Sequence, residues 1–317
     1  MPNRTQKLTA ALAGGAVALS LAVGSSTAHA NGFTLGDAAN YGVLFQGGGG
    51  NDLNVNNGPG IAGLAANGNI GIGGNGSLQL SGPLTLNGNV DFAGAVSDNG
   101  PYSGNIVVNG VISGGHANVQ NDLNYLNSLS TTLGAEAGTV VTIGGNQTIN
   151  ISAGTPDALG NIVFTATTAS FNNGQTLTIN GDGIHNVVFN LAGAATFGGH
   201  IVLTGGLTSD QVLFNVHGGN DTTLSGGPTL SINNNGDTLT GTFLDPNGQV
   251  SIVHSILDGR IFGGDSHNEQ IVSGAEINTP SVPDSGSTLV LIGLALAGLG
   301  CVGRKFQVRT AQSPVQK

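Results

Sequence analysis

The hydrophobic and polar positions of this chain alternate in short runs separated by glycine and asparagine. In Thr176-Leu177-Thr178-Ile179, for example, every second residue is apolar. Alternation with a period of two residues predicts β-strands with one buried face. Segments such as Asn180-Gly181 and Asn235-Gly236 are typical of turns, because these residues adopt positive φ at low cost. The predicted strands are 84–86, 90–92, 106–108, 140–143, 148–151, 162–166, 176–179, 186–191, 201–204, 212–216, 238–244 and 249–253.

One segment departs from the β pattern and follows the 3.6-residue period of a helix over 118–133. Its apolar positions are Val119, Leu123, Leu126 and Leu133. Neither Gly nor Pro interrupts it, Asn118 is a candidate N-cap, Asp122 lies near the positive end of the helix dipole, and Gly134 follows the last leucine. We predict a single amphipathic helix that packs along the β body, in preference to a helix that exposes a partner-binding face.

Composition separates the β architectures that fit this pattern. The chain of 317 residues has 56 Gly, and only 8% of its residues are charged, which argues against helical bundles and typical cytosolic enzymes. Trp is absent, whereas a sandwich core of this size would normally contain bulky aromatic residues. A β-solenoid instead stacks Val, Ile, Leu and Ala in thin layers, with Asn and Gly at its corners. Because no fixed repeat length is apparent, we predict a mainly β fold, an irregular and discontinuous β-solenoid with one amphipathic helix alongside, over residues 31–281.

The distribution of charge excludes nucleic acid as a partner. Residues 31–281 contain sixteen acidic residues and one basic residue, Arg260, for a formal charge of 1 − 16 = −15. Binding a phosphate backbone requires clustered Lys and Arg, and an anionic membrane surface would repel this body. We predict that Arg260 forms an ion pair with a nearby acid, such as Asp258 or Asp265.

The N-terminal segment 1–30 has the features of a secretory signal peptide. Arg4 and Lys7 precede an apolar run at 8–23, and Ala28-His29-Ala30 forms an A-x-A cleavage site, for which Ala28 and Ala30 are the candidate recognition residues. We therefore expect export and cleavage after Ala30.

The C-terminal segment contains a second apolar run, 289–303, which residues 286–288 lengthen to a marginal membrane span. Arg304 and Lys305 follow it at once. The positive-inside rule then predicts a transmembrane helix at 286–303, a basic cytoplasmic tail at 304–317 and an exported body. The only cysteine, Cys301, lies in this run, so the body is predicted to have no disulfide.

A short motif directly precedes this helix. The motif is Val282-Pro283-Asp284-Ser285-Gly286. The order of motif, apolar helix and basic cluster at Arg304 and Lys305 resembles the PEP-CTERM sorting signals, in the variant that begins Val-Pro-Asp-Ser-Gly, and covers 282–306. The resemblance implies recognition by exosortase, a membrane transpeptidase of Gram-negative bacteria that make exopolysaccharide. The protein would then pass through the inner membrane and reach the cell surface or extracellular matrix. The alternative is an ordinary C-terminal anchor.

The body also resembles a known family. The segments that carry the resemblance, together with the single helix, are Asp37-Ala-Ala-Asn-Tyr-Gly-Val-Leu44, Asn69-Ile-Gly-Ile-Gly-Gly74, Val212-Leu-Phe-Asn-Val216 and Asp258-Gly-Arg-Ile-Phe-Gly-Gly-Asp265. They are similar to the choice-of-anchor A surface proteins and, more distantly, to the bacterial ice-binding domain family. The resemblance implies an irregular β-solenoid with one long helix and an adhesive or structural role, and it brings no catalytic residues.

The search for chemistry gives no catalytic residue, metal site or cofactor. Seven histidines are scattered without metal-ligand spacing, no G-x-S-x-G motif occurs, and the body has no lysine for a P-loop. The segment 47–52 begins like a nonapeptide calcium repeat. However, Asn54 occupies the apolar position of that repeat, and tandem copies are missing. Weak calcium binding at the acidic surface stays open.

Three functions are compatible with the sequence. The favoured hypothesis is a non-enzymatic surface or matrix protein, structural or adhesive, whose partners are exosortase and exopolysaccharide or other matrix components. One alternative is an ice-binding protein, for which the sequence offers two Thr-x-Thr elements, Thr176-Leu-Thr178 and Thr238-Leu-Thr240, 62 residues apart with no ladder between them. The other is a matrix-polysaccharide hydrolase, which needs a carboxylate pair in a cleft.

Overall fold

The computed structural model describes residues 32–57, 63–102, 105–217, 229–246, 248–264 and 268–280. It contains one α-helix, α1 (Ala117–Gly134), in this part of the chain. The strands before α1 are β1 (Tyr41–Phe45), β2 (Asp52–Asn56), β3 (Gly63–Asn67), β4 (Asn69–Ile72), β5 (Ser77–Ser81), β6 (Leu84–Asn87), β7 (Val90–Phe92), β8 (Ile106–Val108) and β9 (Ile112–Ser113). The strands after it are β10 (Thr139–Val140), β11 (Gln147–Asn150), β12 (Thr155–Pro156), β13 (Asn161–Ala166), β14 (Ala169–Phe171), β15 (Thr176–Asn180), β16 (Asn186–Leu191), β17 (Ala195–Phe197), β18 (His200–Thr204), β19 (Val212–Val216), β20 (Leu230–Asn233), β21 (Thr238–Asp245), β22 (Val250–Val253), β23 (Ile256–Gly263), β24 (Glu269–Val272) and β25 (Glu276–Asn278).

The strands form the three faces of a β-solenoid, as the sequence predicts. The first face has the strand order β10-β13-β16-β19-β21-β23-β1-β4-β7-β9, and the second has the order β14-β17-β20-β22-β24-β2-β5. The third face consists of β11-β15-β18 and of β23-β25-β3-β6-β8. Successive coils pair in parallel, and β12 with β13 is the only antiparallel pair among the described strands. Strands β21 and β23 bend so that their first residues pair on the third face and their last residues pair on the first.

The solenoid is discontinuous because the chain does not wind from one end to the other. It enters in the middle, at β1, and coils outward to β9 at one end. After α1 the chain resumes at the opposite end, at β10, and coils back until β23 pairs with β1. The first and last coils in sequence are therefore neighbours in the middle of the structure.

The helix returns the chain along the first face. It contacts six consecutive strands of that face, β16, β19, β21, β23, β1 and β4. Its 18 residues span about 27 Å at ~1.5 Å per residue, and five strand spacings of ~4.8 Å span about 24 Å. The helix is therefore the right length to cover these strands.

A second hydrophobic cluster lies between α1 and the first face, which confirms the predicted apolar stripe. From the helix it includes Val119, Leu123, Leu126 and Leu133, and from the face it includes Leu44, Val188, Leu213, Leu244 and Phe262. Where the helix covers it, the first face is thus buried on both sides, because its inner side forms the solenoid core and its outer side packs against the helix.

The predicted N-cap is wrong. The helix begins one residue earlier, His116 occupies the N-cap position, and it makes no capping hydrogen bond through its side chain. Asp122 is buried on the inner side of the helix rather than exposed near its start. Burial, with a smaller contribution from Asp37, raises the pKa of the Asp122 carboxyl.

Asparagine side chains of the first face bind the other end of the helix. Asn190 Nδ2 donates to the Leu133 carbonyl oxygen at 2.5 Å, and Asn215 Nδ2 donates to the Ser130 carbonyl oxygen at 3.0 Å. The Leu133 carbonyl is one of the last four of the helix, which have no partner within it, and it also accepts from Glu136 N at 3.0 Å. The two buried amides join the last turns of α1 to neighbouring strands and fix the end of the helix on the face.

The solenoid core contains a column of phenylalanines in addition to the expected layers of Val, Ile, Leu and Ala. Phe164, Phe189, Phe214 and Phe243 stack on adjacent strands, with ring centroids 5.2, 5.1 and 4.9 Å apart. Parallel strands in register place equivalent side chains about 4.8 Å apart, and this spacing suits offset stacking of aromatic rings. Phe171 and Phe197 extend these contacts, so six phenylalanines pack together in the core of one half of the solenoid.

Arg260 is buried where the first and last coils meet, and 1% of the residue is exposed. Its guanidinium forms an ion pair with Asp210. Nη2 also donates to the Ala39 carbonyl oxygen at 3.0 Å and to the Pro280 carbonyl oxygen at 3.1 Å. One side chain thus connects the start of the described body, its end and the loop before β19.

The prediction that Arg260 pairs with Asp258 is wrong. Asp258 lies on the same strand but accepts a hydrogen bond from Asn278 at 3.2 Å on the third face, and Asp265 lies outside the described residues. Residues two apart on a regular strand share a face. Because β23 turns a corner between Asp258 and Arg260, the two side chains point to different faces.

The described residues contain no helix that is both long and apolar enough to cross a membrane. The predicted signal peptide 1–30, sorting segment 282–306, transmembrane helix 286–303 and tail 304–317 all lie outside the described residues.

Candidate functional surface

A row of polar side chains runs along the outer side of the second face. In strand order, its members are Ser170, Thr196, Ser231, Ser251, Gln270, Asn54 and Gln79. Each pairs in register with the next, so the row crosses seven strands without a break. At ~4.8 Å per strand it is about 29 Å long. We call these seven residues the polar row.

The local sequence explains why these residues point outward. In each strand the row residue lies between two residues that point into the core, as in Ala195-Thr196-Phe197 and Leu230-Ser231-Ile232. Successive side chains of a strand alternate between its two sides, so burial of the flanking residues turns the central one outward. Ser170 and Thr196 are exposed, and the other five members are half-buried. The core therefore fixes the orientation of the polar row.

A second, shorter row runs beside the first. It consists of Asn233, Val253, Val272, Asn56 and Ser81, each two residues further along its strand. Two residues along a strand correspond to about 7 Å. The second face therefore presents a lattice of polar and β-branched side chains with spacings of about 5 Å and 7 Å.

The two Thr-x-Thr elements lie closer in space than their separation of 62 residues suggests. Thr176 and Thr178 lie on β15, and Thr238 and Thr240 lie on β21, both on the third face. Only β18 lies between them, and it pairs with β15 and contacts β21. The outward residues of β18 are His200 and Val202, opposite Thr176 and Thr178. These residues interrupt the threonines, so no continuous Thr ladder forms on the third face.

Three of the histidines each lie beside one aspartate. His185 Nδ1 is 2.6 Å from Asp182 Oδ2, and His200 Nε2 is 3.1 Å from Asp237 Oδ2. The third, His116, is 3.7 Å from Asp91. Within the described ranges, no three side chains of His, Cys, Asp or Glu gather as a metal site.

The residues predicted to direct processing are not placed by the structure. Ala28 and Ala30 of the cleavage site, and Val282, Pro283, Asp284, Ser285, Gly286, Arg304 and Lys305 of the sorting signal, lie outside the described residues. Their roles stay predictions.

The polar row was not predicted from the sequence, although the sequence contains a signal for it. Four strands carry a triplet of an apolar, a hydroxyl and an apolar residue, which are Ala169-Ser170-Phe171, Ala195-Thr196-Phe197, Leu230-Ser231-Ile232 and Val250-Ser251-Ile252. The spacing between triplets is irregular, and the chain order of the coils is not their spatial order. Asn54 therefore follows Gln270 in space although it precedes it by more than 200 residues.

Comparison with known proteins agrees with this architecture. Residues 11–279 match the family model "Putative Ice-binding-like adhesive domain", and residues 281–306 match the VPDSG-CTERM motif. A search of curated proteins gives no significant match. The C-terminal match is a sorting signal of the PEP-CTERM type and indicates an exported surface protein.

Solved structures share the fold. An ice-binding protein from the Antarctic ascomycete Antarctomyces psychrotrophicus matches with a TM-score of 0.50 and 16% identity, over 80% of this chain and 100% of its own. An ice-binding protein from an Antarctic bacterium of the Flavobacteriaceae matches with a TM-score of 0.53 and 18% identity, over 80% of this chain and 48% of its own. At such low identity the likeness shows the fold alone. Because the family model covers more than half of the sequence, this chain belongs to the ice-binding-like adhesive domain family.

Proposed function

We propose that this protein is a non-enzymatic adhesive or structural component of the cell surface or extracellular matrix of an exopolysaccharide-producing bacterium. Exosortase would sort it there after export. The second face would bind matrix polysaccharide, and the polar row is the observation that carries this proposal.

Polysaccharides present hydroxyl groups at regular intervals, and each hydroxyl both donates and accepts hydrogen bonds. The serine and threonine hydroxyls and the asparagine and glutamine amides of the polar row have the same dual capacity. A row of about 29 Å allows many weak contacts to act together along one polymer. Arg260 is the only basic residue in the body and is buried, so the surface offers hydrogen bonds rather than cationic attraction.

We expect charge in the middle of the polar row to abolish polysaccharide binding. The double variant Ser231→Glu/Ser251→Glu places two carboxylates on adjacent strands of the second face, where they would be desolvated against a bound polymer. Co-sedimentation of the purified protein with exopolysaccharide from its own host measures the effect. We expect at least a tenfold loss of affinity, which corresponds to about 1.4 kcal/mol.

The matched control is Thr148→Glu/Thr178→Glu, which adds the same charge at two paired outward positions of the third face. It should bind as the unaltered protein does. Equal loss in both variants would indicate general charge repulsion and contradict a site on the second face. Shortening of the glycan during the assay would support the hydrolase alternative instead.

Ice binding is the second candidate, because the solved structures with this fold are ice-binding proteins. The polar row contains a single threonine and three long or branched amides, and the Thr-x-Thr elements of the third face are interrupted by β18. These features favour a soft polar polymer over the ordered surface of a crystal. Shaping of growing ice crystals by the purified protein, lost in Ser231→Glu/Ser251→Glu, would establish ice as the ligand.

Processing tests the sorting part of the proposal. If exosortase cleaves at the motif, mature protein from the native host should lack Cys301 and every residue after it. A host without exosortase should retain the intact tail in its inner membrane. Mass spectrometry of the C-terminal peptide distinguishes these forms.

A matched pair of proline variants localises the signal. Pro283→Ala alters the motif and should leave the tail uncleaved, whereas Pro280→Ala, three residues upstream, should be processed normally. Mature, surface-exposed protein that ends at Lys317 would show that the segment is a permanent anchor.

A further inference from the structure

Glu269 is a buried acid that does not belong to the polar row. It is the first residue of β24, its side chain points into the solenoid, and none of its surface is exposed. Both carboxylate oxygens are buried, and neither has a hydrogen-bond partner among the described residues. Its in-register partner on the neighbouring strand β2 is Leu53. An acid at an otherwise aliphatic position, without hydrogen bonds, is costly unless a proton or a cation neutralises it.

Other oxygen-bearing side chains lie at the same corner, between the first and second faces. Asp245 ends β21 and Gln46 follows β1, and both are buried. The turn Gly263-Gly264 lies between them, because Gly264 N donates to the Asp245 carbonyl at 3.1 Å and Gln46 N donates to the Gly263 carbonyl at 2.8 Å. Gln46 Oε1 also lacks a hydrogen-bond partner in this part of the chain.

The glycine turn lies against both the carboxyl group and the Phe45 ring. A Cβ on Gly264 would lie 3.0 Å from Phe45 Cδ2 and 3.3 Å from Glu269 Oε2, so even an alanine would crowd both side chains. Gly264 has φ +75°, a conformation that also favours glycine. The corner therefore brings the buried carboxyl groups of Glu269 and Asp245 near each other. The buried Gln46 side chain follows the adjacent strand, and the Phe45 ring lies against the turn.

We propose that this corner, formed by Asp245, Glu269 and Gln46, is a binding site for a hard divalent cation, with calcium as the expected ion. Calcium takes six to eight oxygen ligands from carboxylates, amide oxygens, backbone carbonyls and water, and it tolerates irregular geometry. The site is independent of the polar row, so its failure would leave the proposed adhesive function untouched.

The buried charge of Glu269 favours a bound cation, and a proton is the competitor that could neutralise the carboxylate instead. Burial, and secondarily the nearby Asp245 carboxylate, raise the pKa of Glu269 well above its usual range. Without metal, the stability that comes from the neutral carboxyl is present below the ordinary pKa and is lost as the pH rises through the raised pKa. A cation would compensate the charge at higher pH, so calcium should stabilise the protein more at pH 8 than at pH 5.

The test measures the melting temperature of the full chain at pH 8, in EDTA and in 2 mM calcium. Calcium should raise the melting temperature of the unaltered protein by roughly 5 °C, as expected for an ion well above its Kd. Glu269→Gln keeps the shape but removes the charge. It should melt higher than the unaltered protein in EDTA and should lose most of the response to calcium. This opposite behaviour in the two conditions distinguishes a ligand from a residue that only fills space.

Glu276→Gln is the matched control, since it removes one carboxylate from a partly exposed position on β25. It should keep the full calcium response. Asp245→Asn provides a second variant and should weaken the response by itself. No calcium response at pH 8 in the unaltered protein, or an equal response in Glu269→Gln, would overturn the proposal and leave Glu269 as a buried protonated acid.

Discussion

Replacing Arg260 by methionine is expected to lower the free energy of unfolding by about 3 kcal/mol, because it removes a buried cation and leaves partly buried carbonyl groups without this donor. The guanidinium binds the Ala39 and Pro280 carbonyls and pairs with Asp210, which is partly exposed. Solvent weakens the ion pair at its Asp210 end, so most of the loss should come from the backbone hydrogen bonds. Urea denaturation measures the change.

The control is Asp258→Asn. This change removes the acid closest in sequence but leaves every contact of Arg260 intact, and we expect it to alter stability by no more than about 0.5 kcal/mol. Arg260→Lys should fall between the two, because an ammonium cannot reach the same set of acceptors as a guanidinium. A loss in Asp258→Asn as large as in Arg260→Met would mean that the ion pair lies within β23 after all.

The position of Arg260 shows what kind of information the sequence contained. A single base in a strongly acidic body predicts an ion pair, and that prediction is confirmed. The predicted partner Asp258 was wrong because it was chosen for its short distance along the chain. In a discontinuous solenoid the neighbours of a residue come from coils that are remote in sequence, here Ala39 and Asp210.

Local patterns predicted the secondary structure well after Leu78. Each of the twelve predicted strands overlaps an observed strand, and the helix differs from its predicted bounds by one residue at each end. The other thirteen described strands were missed, and they are β1 to β5, β9, β12, β14, β17, β20 and β23 to β25. In some of them glycine is frequent or charged residues interrupt the alternation, and five have only two or three residues, too few to show it. Tyr41–Phe45 is buried at every position, since the core lies on one side and α1 on the other, and such a strand shows no alternation.

Repeats that mark the corners were also present in the sequence. Asn67-Gly68-Asn69 and Asn87-Gly88-Asn89 recur about one coil apart and stack at the corner between the third and first faces. A side chain at Gly88 would clash with the Gly68 carbonyl, which explains the glycine. Asn69 Oδ1 accepts from Asn89 N at 3.0 Å and so joins the two turns. The repeat covers too few coils to show a period for the whole chain.

The second large effect is expected in the phenylalanine column. Phe214→Ala should lower the free energy of unfolding by about 4 kcal/mol, the usual cost of emptying a buried phenylalanine site. Its ring stacks on Phe189 and Phe243 and meets Phe197 edge to face at 5.3 Å, so three neighbours lose contact at once. In a solenoid each coil is stabilised mainly by its neighbours. A cavity at Phe214 therefore weakens the contact between β16, β19 and β21 together.

Phe92→Ala is the matched control for this column. Phe92 is equally buried on β7, but it has no ring contact with another aromatic side chain among the described residues. Its loss should cost about 1 to 2 kcal/mol less than that of Phe214, the difference being the ring contacts. Equal losses in urea denaturation would show that burial alone matters and that the in-register rings add nothing. A larger loss for Phe214 would mean that strand register, which no local pattern reveals, turns a few scattered phenylalanines into the element that holds adjacent coils together.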